Sequence, residues 1–158
     1  ASQAAPRARQ VDSLVGIPFR LGGRSRAGMD CLGIVIAGLQ ILRPDLEVTD
    51  PWERLRAAYH DGWQDFRSGF PGAWIELGRE GPFQPGDVLR MTDQAGQAHL
   101  ALMLPRGRVL HATKACGSVV MSLRRLAPFI VGGMRPPAPP PTQKTQDPCR
   151  PSTGLYGG

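Results

Sequence analysis

The segment from Gly16 to Gly38, GIPFRLGGRSRAGMDCLGIVIAG, constrains this chain more than any other. A glycine-rich, basic stretch ends at Asp30, and an apolar run begins directly after Cys31. Asp is a good N-cap, because its carboxylate accepts a backbone N–H of the first helical turn. Leu32, Val35, Ile36 and Leu39 recur at helical spacing, and Ile34 and Ile41 widen the apolar face. The pattern predicts a buried helix with Cys31 at its first position. A thiol there meets the positive end of the helix dipole and backbone N–H groups that no intrahelical carbonyl satisfies. Both favour the thiolate, which is the nucleophilic form. A free cysteine is otherwise most often a small buried hydrophobe, so a catalytic reading needs a base elsewhere in the chain.

Two histidines are candidates, His99 in AHLALML and His111 in RVLHATK. Both segments read as short strands, with Pro105-Arg106-Gly107 between them. A three-residue hairpin loop ending in a left-handed Gly is a favoured connection. That loop sets Leu104 opposite Arg108, Ala101 opposite His111 and His99 opposite Thr113. His99 and His111 then share one sheet face as diagonal neighbours, about 7–8 Å apart at the backbone. A two-residue loop would shift the register by one and separate them onto opposite faces.

These residues carry a resemblance. GIPFRLGG, then MDCLGIVIAG, FQPGDVLRM, AHLALML and VLHA are similar, in order and spacing, to the motifs of the NlpC/P60 cysteine peptidases. The family pattern is G-x-P-Y-x-x-G-G, D-C-S-G-L-V, P-G-D, a His-bearing strand and a second His about a dozen residues later. The resemblance spans roughly Val11 to Arg135. It implies a papain-like α+β fold, in which N-terminal helices pack the nucleophile helix on a small antiparallel sheet. It also implies hydrolysis of amide bonds in peptidoglycan stem peptides. Cys31 falls on the family's nucleophile, His99 on its general base, His111 on the residue that orients the base, and Asp30 on the supporting residue before the nucleophile. Two positions depart from the pattern. Phe19 stands where the family often has a Tyr, and Leu32 replaces the usual Ser after the Cys. The D-C-L-G form and the longer stretch before P-G-D resemble the tail-associated peptidases of phages and gene transfer agents.

The chemistry suits these residue types. A thiol is acidic and nucleophilic enough for a single histidine to activate it. His99 would take the thiol proton and return it to the leaving amine, while His111 holds the ring tautomer. The developing oxyanion needs N–H donors, and the backbone N–H of Cys31 is the candidate at the helix start. The third cysteine-and-histidine option, zinc ligation by Cys31, His99 and His111, is disfavoured by the Asp-capped helix start, and no metal or other cofactor is implied. Cys31, Cys116 and Cys149 form neither a disulfide framework nor a CxxC site.

Formal net charge is +6, from 19 basic and 13 acidic residues. Such a balance suits an anionic polymer such as cell-wall material, or an acidic neighbour. The basic residues are scattered apart from Arg24/Arg26 and Arg124/Arg125, so nucleic acid is not the expected partner. No apolar stretch approaches a membrane span, and ASQAAPRARQ lacks the apolar core of a secretory signal. A cell-wall enzyme made in the cytoplasm without export would reach its substrate in a virion-like particle.

The chain divides into an arm at 1–10, a peptidase domain at 11–134 and a proline-rich segment at 135–158. Residues 1–8 read as loose, with a short helix expected from Gln10 to Val15. Asp50-Pro51 reads as N-cap and first position of a helix through Trp52, Leu55, Arg56 and Tyr59 to about His60. Trp63, Phe66, Phe70 and Trp74 follow in a Gly/Pro-punctuated insertion, expected to pack on the core. Strands are expected at 88–91, 98–104, 108–113, 117–122 and 130–134, forming a small barrel-like antiparallel sheet. The last 24 residues hold seven prolines and too little apolar surface to fold alone. Their order would come from other chains. The sequence thus points to a peptidoglycan endopeptidase at the tail tip of a phage or gene transfer agent, its C-terminal segment docked on tail-tip or baseplate proteins. Two alternatives are a structural tail-assembly protein on the same fold with an idle triad, and a cytoplasmic acyltransferase or amidase using the same Cys/His pair.

Overall fold

A computed structural model describes residues 4–50 and 73–141. The fold is α+β. Helix α1 (Ala4–Asp12) leads through a short hairpin, β1 (Arg24–Ser25) and β2 (Gly28–Met29), to helix α2 (Cys31–Leu42). Strands β3 (Ile75–Leu77), β4 (Val88–Thr92), β5 (Ala98–Leu104), β6 (Arg108–Thr113), β7 (Gly117–Ser122) and β8 (Ile130–Arg135) form one sheet. A one-turn helix, α3 (Leu123–Leu126), joins the last two strands, capped by the Ser122 hydroxyl on the Arg125 N–H.

Much of the expected loose arm is helical instead. The stretch AAPRARQVD is rich in good helix formers, and Pro6 sits in the first turn, where its missing N–H costs nothing. Val11 is fully buried and Leu14 nearly so, which docks α1 beside α2. The helix ends at Asp12, and residues 13–16 turn through bonds from Ser13, Leu14 and Val15 back to Gln10, Val11 and Asp12. The helix expected at 52–60, His60 and the aromatics Trp63, Phe66 and Phe70 lie outside the described residues. Trp74 is described, and it packs against the core as expected.

The sheet is antiparallel throughout, in the order β3-β8-β4-β5-β6-β7. It is open, with β3 and β7 at its edges, rather than barrel-like. Strand β3 has only three residues, too short for an alternating pattern to mark it. The β5–β6 register is the expected one: Leu104 pairs with Arg108 and Ala101 with His111. The ladder ends there, so His99 and Thr113 do not pair as expected. The connecting loop has the expected length, but Arg106 shares the left-handed conformation of Gly107, at φ 64° and 65°.

Alternation along the strands separates two layers of core. Leu100, Leu102, Leu104, Leu110 and Ala112 pack with the apolar residues of α2. Leu89, Met91, Ala101, Met103 and Val109 pack with Leu126 and Ile130 on the other face. Two buried polar groups then tie distant segments together. The Ser118 hydroxyl accepts from the Ile17 N–H at 2.7 Å and donates to the Leu14 carbonyl. Gly16 N–H reaches the Ser118 carbonyl, and Ser118 N–H reaches that of Ile17, both at 2.9 Å. The buried Asp87 carboxylate takes two hydrogen bonds from Arg135, at 2.9 and 2.8 Å, and one from the Gln84 N–H at 2.8 Å.

Arg135 therefore closes the fold as the last residue of β8, and extended chain follows it. The Pro137 carbonyl accepts from Arg43 at the C-terminal end of α2, at 2.6 Å. Asp87→Ala would leave the guanidinium without its two-point partner and the Gln84 N–H without an acceptor. We expect a loss of about 2–4 kcal/mol in unfolding free energy, read as a lower urea midpoint at unchanged m-value. An unchanged midpoint would remove Asp87 from the set of groups holding β4 to β8.

Candidate active site

Cys31 stands where its helix pattern puts it, at the first position of α2, and it is buried. Asp30 is the N-cap and is 1% exposed. Its Oδ1 accepts the Gly33 N–H at 2.8 Å and Arg24 Nη1 at 2.8 Å, and its Oδ2 accepts the Gly22 N–H at 2.8 Å. One carboxylate thus caps the helix and folds the glycine loop back onto it. Gly33 makes that closure feasible, since a Cβ there would lie 2.5 Å from the Gly23 carbonyl oxygen. Asp30 is a support and not an oxyanion donor, because an ionised carboxylate only accepts. The backbone N–H of Cys31, the expected donor, lies at the start of the helix.

Helix α2 packs across β5 and β6, the strands that carry the two histidines. His99 Nε2 and His111 Nδ1 are 2.9 Å apart, and the rings meet edge to face with centroids 5.2 Å apart. The shared face that the three-residue loop implied is therefore present. By alternation it is the face of Ala101, Met103 and Val109, while α2 rests on Leu100, Leu102 and Leu110. His111 is 4% exposed, and its Nε2 has no hydrogen-bond partner among the described residues.

This environment resists protonation. Burial and then the neighbouring His111 push His99 down to about 4, from the usual 6.5, against an opposing pull from Asp93. Burial also lowers His111. For His99 to carry both protons, His111 must accept at Nδ1 and keep its own proton on Nε2. The neutral pair already takes this tautomer wherever His99 accepts at Nδ1, so burial and the neighbouring ring are what hold the charge off. The pair is therefore neutral at neutral pH, with His99 available as a proton acceptor.

Three residues here carry no motif signal of their own. Arg24 lies in what reads from sequence as a surface charge pair with Arg26, yet it bridges Asp30 and Asp50, the latter at 2.6 Å. Asp50 is the expected N-cap of a helix that lies outside the described residues, and its carboxylate accepts from Arg24. Asp93 caps the β4–β5 turn by accepting from the Ala95 and Gln97 N–H groups, and its charge favours protonation of His99. Its place in the turn sequence TDQAG is the one available clue. Among the described residues, no group of three or more His, Cys, Asp or Glu side chains is arranged to hold a metal ion, and no helix is long and apolar enough to cross a membrane.

No protein-family model and no curated protein matches the chain. Solved structures do. The NlpC/p60 domain of the peptidoglycan hydrolase SagA superposes with a TM-score of 0.55 at 18% identity, over 85% of this chain and 97% of that domain. The chain has the NlpC/P60 fold. An NlpC/P60 family protein from Bacillus cereus matches at TM-score 0.55 and 17% identity, over 84% of this chain and 39% of that one. NlpC2 from Trichomonas vaginalis matches at TM-score 0.55 and 16% identity, over 84% of this chain and 46% of that one. The chain thus spans nearly the whole SagA domain but under half of the two longer proteins. The α+β architecture implied by the motifs is the one these NlpC/P60 structures share.

The histidine pair supplies a test that needs no substrate. His99 binds its proton near pH 4 in the folded state and near 6.5 in the unfolded state. Its depressed value adds stability that is fully present above pH 6.5 and is lost as pH falls towards 4. The ring-proton NMR titration of His99 should have its midpoint near 4, accompanied by a falling melting temperature over that window. A midpoint at or above 6.5 would mean that the pair is open to solvent.

Proposed function

We propose that this protein is a cysteine peptidase that cleaves amide bonds in peptidoglycan stem peptides, with Cys31 as nucleophile, His99 as general base and His111 as the residue orienting it. The observation that carries the reading is the 2.9 Å His99–His111 pair on the strands beneath a helix that begins at a buried cysteine. The NlpC/P60 fold, shared with a domain of a peptidoglycan hydrolase, supports the substrate class.

In the proposed reaction the thiol proton passes to His99 and the sulfur attacks the carbonyl carbon. This route requires a ring nitrogen of His99 to come within hydrogen-bond reach of Cys31 Sγ at the N-terminal end of α2. The imidazolium so formed is disfavoured on its own, and the adjacent thiolate offsets its charge. His99 donates through Nε2 to His111, and the Cys31 N–H donates to the oxyanion. The C–N bond then breaks, and the leaving amine takes the proton from His99. Water activated by the same imidazole releases the acid from the thioester and restores the thiol.

The proposed setting is the tail tip of a phage or gene transfer agent. The D-C-L-G form of the nucleophile motif and the proline-rich C-terminal segment support it. That segment would dock on tail-tip or baseplate proteins as extended chain.

Cys31→Ala should lower muropeptide cleavage by at least about a thousandfold with an unchanged fold, and His99→Ala should cost nearly as much, since such groups act as a unit. His111→Ala should cost less. Hydrolysis that persists in Cys31→Ala would overturn the catalytic assignment and leave an assembly role for the fold. Because Arg135 and Pro137 belong to the folded body, the docking segment is best tested by removing residues 142–158. The shortened chain should fold and cleave muropeptides but be missing from purified particles by mass spectrometry. Wild-type incorporation would show that the folded surface is the anchor.

A further inference from the structure

The nucleophile position carries an electrostatic conflict. Asp30 precedes Cys31 directly and is almost wholly buried. Its carboxylate is needed as the cap on Gly33 and the clasp on Gly22. A buried negative charge beside a thiol opposes formation of the thiolate, and so works against the helix N-terminus that favours it. Arg24 meets this charge. Its Nη1 lies 2.8 Å from Asp30 Oδ1, with a second bond at 2.7 Å to the Gly23 carbonyl. Its Nε is held by Asp50 at 2.6 Å, so the guanidinium is clamped from both sides.

We propose that Arg24 is a positioning residue for the reaction: it neutralises the Asp30 carboxylate beside Cys31, so that the cap can be kept without suppressing the thiolate. The inference rests on Cys31 being the nucleophile, as proposed above. Burial works against the charge of Arg24, but its bonds to Asp50 and Asp30 raise its pKa on balance, so it stays cationic wherever the thiol titrates. The other ionisable groups on elements packed against α2 are few. Strand β5 carries His99, β6 carries His111 and Arg108, and α1 carries Arg7, Arg9 and Asp12. Arg108 pairs with Asp12. Arg7 acts on Asp45, just beyond the opposite end of α2. Arg24 is thus the cation bonded to the Asp30 carboxylate.

The test reads the thiol and not the reaction. In a full-length background with Cys116→Ser and Cys149→Ser, thiolate formation at Cys31 is followed by ultraviolet absorbance against pH, with Cys31→Ser as the blank. Arg24→Gln should raise the midpoint by about one pH unit, roughly a tenfold loss of thiolate below the midpoint. Arg24→Lys keeps a charge and should recover most of the shift. The double variant Arg24→Gln/Asp30→Asn removes both charges, keeps the cap, and should return the midpoint to near that of the parent. Arg26→Gln, whose side chain bonds Ser13 and not Asp30, should leave the midpoint in place. An unmoved midpoint in Arg24→Gln, a double variant as shifted as the single, or an equal shift from Arg26→Gln would each overturn the proposal. Should Arg24→Gln not fold, Asp30→Asn alone decides the matter: the midpoint should fall, and an unchanged or raised one overturns the idea. Loss of the catalytic reading would appear separately, as muropeptide cleavage by Cys31→Ala.

Discussion

One buried carboxylate organises the site end of this molecule. Asp30 accepts from Gly33 within its own helix, from Gly22 in the preceding loop and from Arg24 in the short hairpin. Charge-assisted bonds to backbone N–H groups are among the stronger ones a protein makes, and these three converge on a side chain shielded from water. Without them the first turn of α2 would lose its cap and the glycine loop would lose its seat. The position of Cys31 depends on both.

Much of this was legible in the chain. Asp before an apolar helical run is a local signal, and the helix begins where that signal puts it. The hairpin loop PRG fixed a register, and the register set His99 and His111 on one face. Both inferences rest on short-range geometry. What was not legible depends on contacts distant in sequence. The helical start at Ala4 is secured by docking Val11 into a core built from later strands. The place of Arg135 in the fold is decided by Asp87, in the turn before β4 and 48 residues earlier. The role of Arg24 had no local signal, because its partner Asp50 is 26 residues away. The three-residue strand β3 has no periodicity to read.

The histidine pair and the cysteine end of α2 resolve charge in opposite ways. At the histidines, burial and the apposition of the two rings keep charge out. At the cap, a full negative charge is kept inside and balanced by a cation that is itself held in place. The first arrangement leaves a neutral base, and the second leaves the helix N-terminus free to act on the residue next to the cap.

The Ser118 hydroxyl has a consequence for the order in which the chain can assemble. It holds the Leu14 and Ile17 backbone from a strand about a hundred residues further along. The loop that leads into the cysteine helix is therefore braced by β7, one of the last strands to be made. During synthesis the cysteine segment leaves the ribosome about a hundred residues before the strand that braces it. Contacts of such wide sequence separation fold late and slowly. A chain cut short before β7 would carry the cysteine without its finished surroundings.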